Sequence, residues 1–88
     1  MSDEVQTEIA ELRGRVDEID CQIVALLNER ASLTIKIHDL KPLASMALYD
    51  PKREEEIFEK LAKCSTGPLF DENLREIYET ILHISKEL

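Results

Sequence analysis

The chain has no tryptophan, and its aromatic residues are two phenylalanines and two tyrosines. It therefore offers no platform on which nucleic-acid bases could stack. Glycine occurs twice and proline three times, too few turn formers for a many-stranded sheet. The two cysteines, Cys21 and Cys64, form no CxxC pair and have no histidine close by. A metal site is not expected from them, and they read as reduced thiols. No apolar run approaches the ~20 residues of a membrane span. The opening residues, Met1-Ser2-Asp3-Glu4, are acidic and lack the basic and apolar regions of a signal peptide, so a cytoplasmic protein is expected. Positive charge is also scarce: 11 Lys and Arg against 19 Asp and Glu give a formal net charge of −8. That balance argues against a general nucleic-acid-binding surface. Repeats and low-complexity tracts are absent.

What is present is helix. Eighty-eight residues make a single domain, 1–88, whose core alone is marginal without a disulfide, a metal or a partner chain. From Val5 the apolar residues Ile9, Leu12, Val16, Ile19, Ile23 and Leu26, then Leu33, Ile37 and Leu40, alternate steps of four and three. This is the seam of one long helix that packs against other helices. The pattern predicts helix from about Asp3 to Lys41, with Gly14 inside it and Pro42 ending it. The connection Leu43–Tyr49 contains Leu43, Ala44, Met46, Ala47 and Leu48 and is expected to pack over something. Asp50-Pro51 is a cap followed by proline at the first helical position. It opens a second helix with Ile57, Phe58 and Leu61 on one face, ending before Gly67-Pro68. A third helix is expected from an Asp71 cap to the chain end, with Leu74, Ile77, Tyr78, Ile81, Leu82 and Leu88 as its stripe and Ser85 as a polar interruption.

The fold class is thus all-α, a three-helix protomer with one very long N-terminal helix. That helix would be roughly 57 Å long at ~1.5 Å per residue. A compact chain of this size has a radius of gyration of about 12 Å. The seam needs a second copy to cover it, and the expectation is an intertwined homodimeric helical bundle.

One seam position is not apolar. Arg30 stands where a leucine belongs, and a cation on a buried stripe is costly unless a carboxylate or an anionic ligand satisfies it. Lys41 lies eleven residues on, close to three turns, so both point the same way. Arg53 and Glu54 fall in the first turn of the second helix. Arg13 is seventeen residues before Arg30 and cannot reach the same small site in one chain, but Arg13 of an antiparallel partner could. Taken singly, Arg13, Lys41 and Arg53 have the ordinary reading of solvated helix residues, and Arg30 that of a structural ion pair. His38 and His83 read as structural or surface residues, and Glu54-Glu55-Glu56 mostly as a solvated face.

Four stretches carry a resemblance: Leu12-Arg13-Gly14-Arg15-Val16-Asp17-Glu18-Ile19-Asp20, Leu26-Leu27-Asn28-Glu29-Arg30, Tyr49-Asp50-Pro51-Lys52-Arg53-Glu54, and Gly67-Pro68-Leu69 leading into the third helix. In this order and spacing the chain resembles the all-helical chorismate mutase family. That family includes stand-alone enzymes and domains fused to prephenate dehydratase or to the first enzyme of the shikimate pathway. The resemblance covers nearly the whole chain. It implies an intertwined dimer that converts chorismate, a small dianion, to prephenate by a Claisen rearrangement, without cofactor or metal. It maps the site onto Arg13 of one protomer and Arg30, Lys41, Asp50, Arg53, Glu54 and Ser85 of the other. Lys41 would donate to the ether oxygen, and Arg30 with the partner's arginine would bind the two carboxylates. Glu54 and the backbone near Asp50 would hold the ring hydroxyl, Ser85 would support a carboxylate, and Arg53 would order that end of the site.

Three features depart from the family pattern. A glutamine or glutamate normally lies four residues after the position of Ser85, one residue past Leu88, and without that donor turnover is expected to be weakened. His38 stands where a small residue is common, and the loop 43–48 is unusually apolar. Three other readings compete. An isochorismate pyruvate lyase could use the same fold. A regulatory domain of a larger shikimate-pathway enzyme could bind chorismate or prephenate. A plain coiled-coil dimerisation module would leave Arg30 unexplained.

Overall fold

The computed structural model describes residues 2–47 and 49–88. The chain is all-α: α1 spans Ser2–Leu40, a 3-10 turn spans Lys41–Ala44, α2 spans Pro51–Cys64 and α3 spans Asp71–Lys86. It divides into two compact units, Met1–Leu33 and Thr34–Leu88.

The first unit is one helix. Its seam residues are all exposed, from 43% at Ile9 to 63% at Leu26. Gly14 sits within the helix, and a Cβ there would meet nothing within 4 Å, so this glycine marks no close packing within the chain. The low helix propensity of glycine is outweighed by its many good helix-forming neighbours.

The second unit begins with the last turns of α1. The α-helix ends just before Pro42, as the sequence predicts, one residue short of the expected Lys41. α1 stops at Leu40, and Lys41 and Pro42 open a 3-10 turn. Proline lacks an N–H, which is no loss in a first turn, where that group has no helical partner. The turn closes at Ser45, in the left-handed region at φ 56°. Ser45 N–H donates to Pro42 O (3.2 Å) and Met46 N–H to Lys41 O (2.9 Å). The expectation that the apolar connection packs over something is not met within this chain. Leu43 is 83% exposed and Met46 54%, while Leu48 lies outside the described residues.

α2 starts as its sequence dictates. Asp50 is the N-cap, its Oδ1 accepting from Arg53 N–H at 3.1 Å, and Pro51 takes the first helical position. α3 corrects the expected cap. Phe70 holds the N-cap position and Asp71 is already helical. The side chain that serves this end is Asn73, whose Oδ1 accepts from Phe70 N–H at 3.0 Å. Its own N–H donates to Phe70 O at 3.0 Å. Asp71 and Glu72 instead place negative charge in the first turn, where the helix dipole favours it. The connection from α2 includes Gly67 at φ 82°, a conformation glycine adopts without steric cost. α3 ends at Lys86, two residues before the expected end, with Glu87 N–H donating to Ile84 O at 3.0 Å.

α2 and α3 pack on each other. Ile57, Phe58 and Leu61 of α2 are half-buried, as are Leu74, Tyr78 and Ile81 of α3. Leu82, at 8% exposure, is the buried hydrophobic residue among those described. The Arg75 guanidinium lies 4.0 Å from the centre of the Phe58 ring, a cation–π contact joining the two helices. Ile77 and Leu88 of the expected stripe remain exposed.

Candidate functional site

The second unit draws three helix ends together. The first turn of α2 carries Arg53 and Glu54 directly behind the Asp50 cap. The last turn of α3 reaches it through Lys86, whose Nζ lies 3.0 Å from Glu54 Oε1. The end of α1 reaches the same end of α3 through His38, whose Nδ1 lies 3.4 Å from Leu88 O. His38 therefore has a partner that its sequence does not announce. So has His83, with Nε2 3.5 Å from Glu87 Oε1 in an exposed i,i+4 pair.

Five of the expected site residues belong to this unit. Lys41 is half-buried at the start of the 3-10 turn, and Asp50 and Glu54 are half-buried at the start of α2. Asp50 Oδ1 is committed to capping, so its side chain shapes the helix entry. The Arg53 guanidinium lies 3.7 Å from Glu56 Oε2, on an exposed face. The glutamate run is mostly a solvated face, as expected, with Glu55 and Glu56 exposed and only Glu54 half-buried against Lys86. Ser85 is half-buried, and its Oγ donates to Ile81 O at 2.7 Å. That back-bond holds the hydroxyl against the last turns of α3.

Arg13 and Arg30 belong to the first unit. Arg13 is exposed and Arg30 half-buried. Seventeen residues of continuous helix hold them roughly 25 Å apart, so one chain does not bring these two together. A shallow cleft between α2 and α3, floored by Phe58, Leu61 and Leu74 and edged by Glu55, Asp71 and Arg75, contains none of the expected site residues.

Reasoning from the sequence passed over Lys86, and it placed Tyr49 in a motif without giving it a role. The Lys86 ammonium also lies 4.8 Å from the centre of the Tyr49 ring. A signal was available for Lys86. Leu74, Tyr78 and Leu82 step by four along the inner face of α3, and the next step is Lys86. Among the described residues, no group of three or more His, Cys, Asp or Glu could hold a metal ion. Among the described residues, no helix is long and apolar enough to cross a membrane. Cys21 and Cys64 are both free and exposed.

The arrangement is a capped helix start facing a helix end, rich in fixed charge. The family model for chorismate mutase type II matches residues 12–88. The chain belongs to this family. Among curated proteins it is 32% identical over 82 residues to a chorismate mutase of Methanocaldococcus jannaschii, covering 92% of this chain and 83% of that protein. It is 38% identical over 84 residues to a bifunctional chorismate mutase/prephenate dehydratase of Aquifex aeolicus, covering 92% of this chain. It spans only 22% of that bifunctional relative's length. Among solved structures, a chorismate mutase of Thermus thermophilus (form II) superposes with a TM-score of 0.88 at 37% identity, covering 92% of each chain. Form I of the same protein gives 0.84 at 37% identity, covering 89% of this chain and 98% of the other. The long α1, the capped α2 and the α3 packed on it are therefore the chorismate mutase helical fold, as its sequence resemblance implies.

Proposed function

We propose that residues 1–88 form one chorismate mutase domain that converts chorismate to prephenate in the cytoplasm, at a site shared between two protomers of an intertwined homodimer. The observation that carries this reading furthest is the meeting of the first turn of α2 with the last turn of α3 through Glu54 and Lys86. It gathers Asp50, Arg53 and Glu54 with the helix end that bears Ser85, four of the positions to which the family pattern assigns the substrate.

The rearrangement is unimolecular. The ether C–O bond breaks as a new C–C bond forms, and no proton, nucleophile or cofactor takes part. The substrate must be held in a compact chair-like conformer while negative charge builds on the ether oxygen. Catalysis then rests on restraint and on preorganised positive charge. Arg30 and the partner's arginine suit the two carboxylates, because a guanidinium binds a carboxylate in a fork. Lys41 donates to the ether oxygen. Glu54 accepts from the ring hydroxyl, next to the backbone at Asp50. Ser85 supports a carboxylate by turning its Oγ–H from Ile81 O to the ligand, and Arg53 orders the α2 end of the site.

The second protomer is supported by the apolar seam of the first unit, whose residues from Val5 to Leu33 are exposed. A lone helix in water is marginal, and an apolar face this long requires covering. A second copy also brings in the Arg13 that one chain cannot deliver to its own Arg30.

The decisive experiment is a spectrophotometric assay of chorismate loss with identification of the product, run in parallel on isochorismate. Prephenate from chorismate supports the proposal. Pyruvate release from isochorismate alone identifies a lyase on the same fold. Tight binding with negligible turnover identifies a regulatory domain. Sedimentation velocity at micromolar concentration tests the dimer, and a stably folded monomer rules out the shared site.

A further inference from the structure

We infer that Lys86 is a positioning residue for Glu54. It clamps the carboxylate and the chain just before α2 into the geometry that receives the ring hydroxyl of the substrate. The inference rests on the reading of Glu54 given above and deepens it.

Lys86 occupies an unusual place. Leu74, Tyr78 and Leu82 form the inner stripe of α3 at steps of four, with Leu82 buried. Lys86 is the fourth member of that series, so its stem leaves the helix on the core-facing side and its ammonium arrives at the rim of the unit. There it meets two groups from two different segments. Glu54 Oε1 lies 3.0 Å away, and the Tyr49 ring centre lies 4.8 Å away. Tyr49 immediately precedes the Asp50 cap, and Glu54 lies one turn after it. One ammonium therefore holds both sides of the α2 entry against the end of α3.

Glu54 is better sheltered than the carboxylates of the Arg53–Glu56 and His83–Glu87 pairs, while Lys86 itself is 49% exposed. The Glu54 side chain is 25% exposed, against 48% for Glu56 and 69% for Glu87 in theirs. Three torsions separate a glutamate carboxylate from its backbone, and an unheld one samples many rotamers. With Oε1 engaged by Lys86, the carboxylate plane is restrained and Oε2 remains available to accept from a hydroxyl. The pairing also removes an electrostatic fault. A bare carboxylate beside a dianionic substrate repels it, and the adjacent ammonium offsets that repulsion.

The test is kinetic and uses the full chain. Lys86→Met keeps the length and apolar stem but removes the charge, and Lys86→Arg keeps the charge. Because a hydroxyl contact holds substrate and transition state alike, Lys86→Met should act mainly on KM. The expected loss in kcat/KM is about tenfold, within the usual range for coupled neighbours. Lys86→Arg should remain within about threefold of the parent, and Lys86→Met added to Glu54→Gln should cost no more than about twofold further. On a chorismate analogue lacking the ring hydroxyl, which keeps both carboxylates, the loss from Lys86→Met should shrink to the part due to charge, about threefold or less. If Lys86→Met leaves KM unchanged while Glu54→Gln is impaired, the inference is overturned and the role of Glu54 stands. If Glu54→Gln is itself unimpaired, the reading of Glu54 fails and the inference with it. Loss of helicity by circular dichroism, or an equal loss on the analogue, shows Lys86 to be a structural tie and overturns the inference.

Discussion

Replacing Asp50 separates two roles that fall on one residue. Its Oδ1 accepts from Arg53 N–H at 3.1 Å, satisfying one of the N–H groups left open at the start of α2. Loss of such a cap costs about 1 kcal/mol. The carboxylate also lies at the positive end of the helix dipole, which adds about 0.3–1 kcal/mol. Asp50→Ala removes both and should destabilise by about 1–2 kcal/mol. Asp50→Asn keeps a capping oxygen and loses only the charge, for about 0.5 kcal/mol. In a domain of this size each kcal/mol moves the melting point by about 4–8 °C. Asp50→Ala should therefore melt roughly 5–15 °C lower and Asp50→Asn only about 2–4 °C lower. The scans require equal protein concentration, because the melting point of the proposed dimer would depend on it. Activity should follow the cap rather than the charge: Asp50→Asn stays near the parent, and Asp50→Ala, with the α2 entry frayed around Glu54, falls further. An Asp50→Ala protein as stable as the parent refutes the capping argument. An Asp50→Asn protein as inactive as Asp50→Ala shows that the carboxylate itself contacts substrate.

The proposed sharing of the site between protomers makes a mixing experiment informative. Arg13→Ala and Arg30→Ala should each lower kcat/KM by about 10²–10³-fold, the scale for one lost charge-stabilising donor. Refolding them together should restore roughly a quarter of parental activity, since half the dimers then carry one intact site out of two; no recovery on mixing excludes donation of Arg13 across the interface. Leu82→Ala removes the most buried side chain described, at 8% exposure. It should lower stability by about 2–5 kcal/mol in urea titration, and a cost below about 1 kcal/mol means that α2 and α3 are not held together there.

The helices were legible in the sequence because their signals are local. The four-three spacing from Val5 to Leu40 repeats within a few residues, and helical periodicity alone converts it into one face. Asp50-Pro51 announces its helix by chemistry confined to one turn. The ends needed finer detail. Pro42 could end a helix or open a 3-10 turn, and Asp71 or Asn73 could serve the start of α3. Competing local hydrogen bonds decide such cases by fractions of a kcal/mol, and sequence pattern does not resolve them.

The site divides along the same line. Arg30 was visible because it breaks an apolar series, and Lys41 because it recurs at a near-integral number of turns. Asp50, Arg53 and Glu54 stood together in one motif. Lys86 was not visible in the same way. Its partners Glu54 and Tyr49 are more than thirty residues away in the chain, and a lysine near a helix end has an ordinary explanation in the helix dipole. The contact of His38 with Leu88 O spans fifty residues and is equally silent. Sequence by itself determined which residues form helices, which faces are apolar and which charges interrupt them, because those properties depend on neighbours within a turn or two. Only the folded chain decided which helix ends meet. That depends on how α2 and α3 pack, a choice set by the sum of many weak contacts between residues distant in sequence.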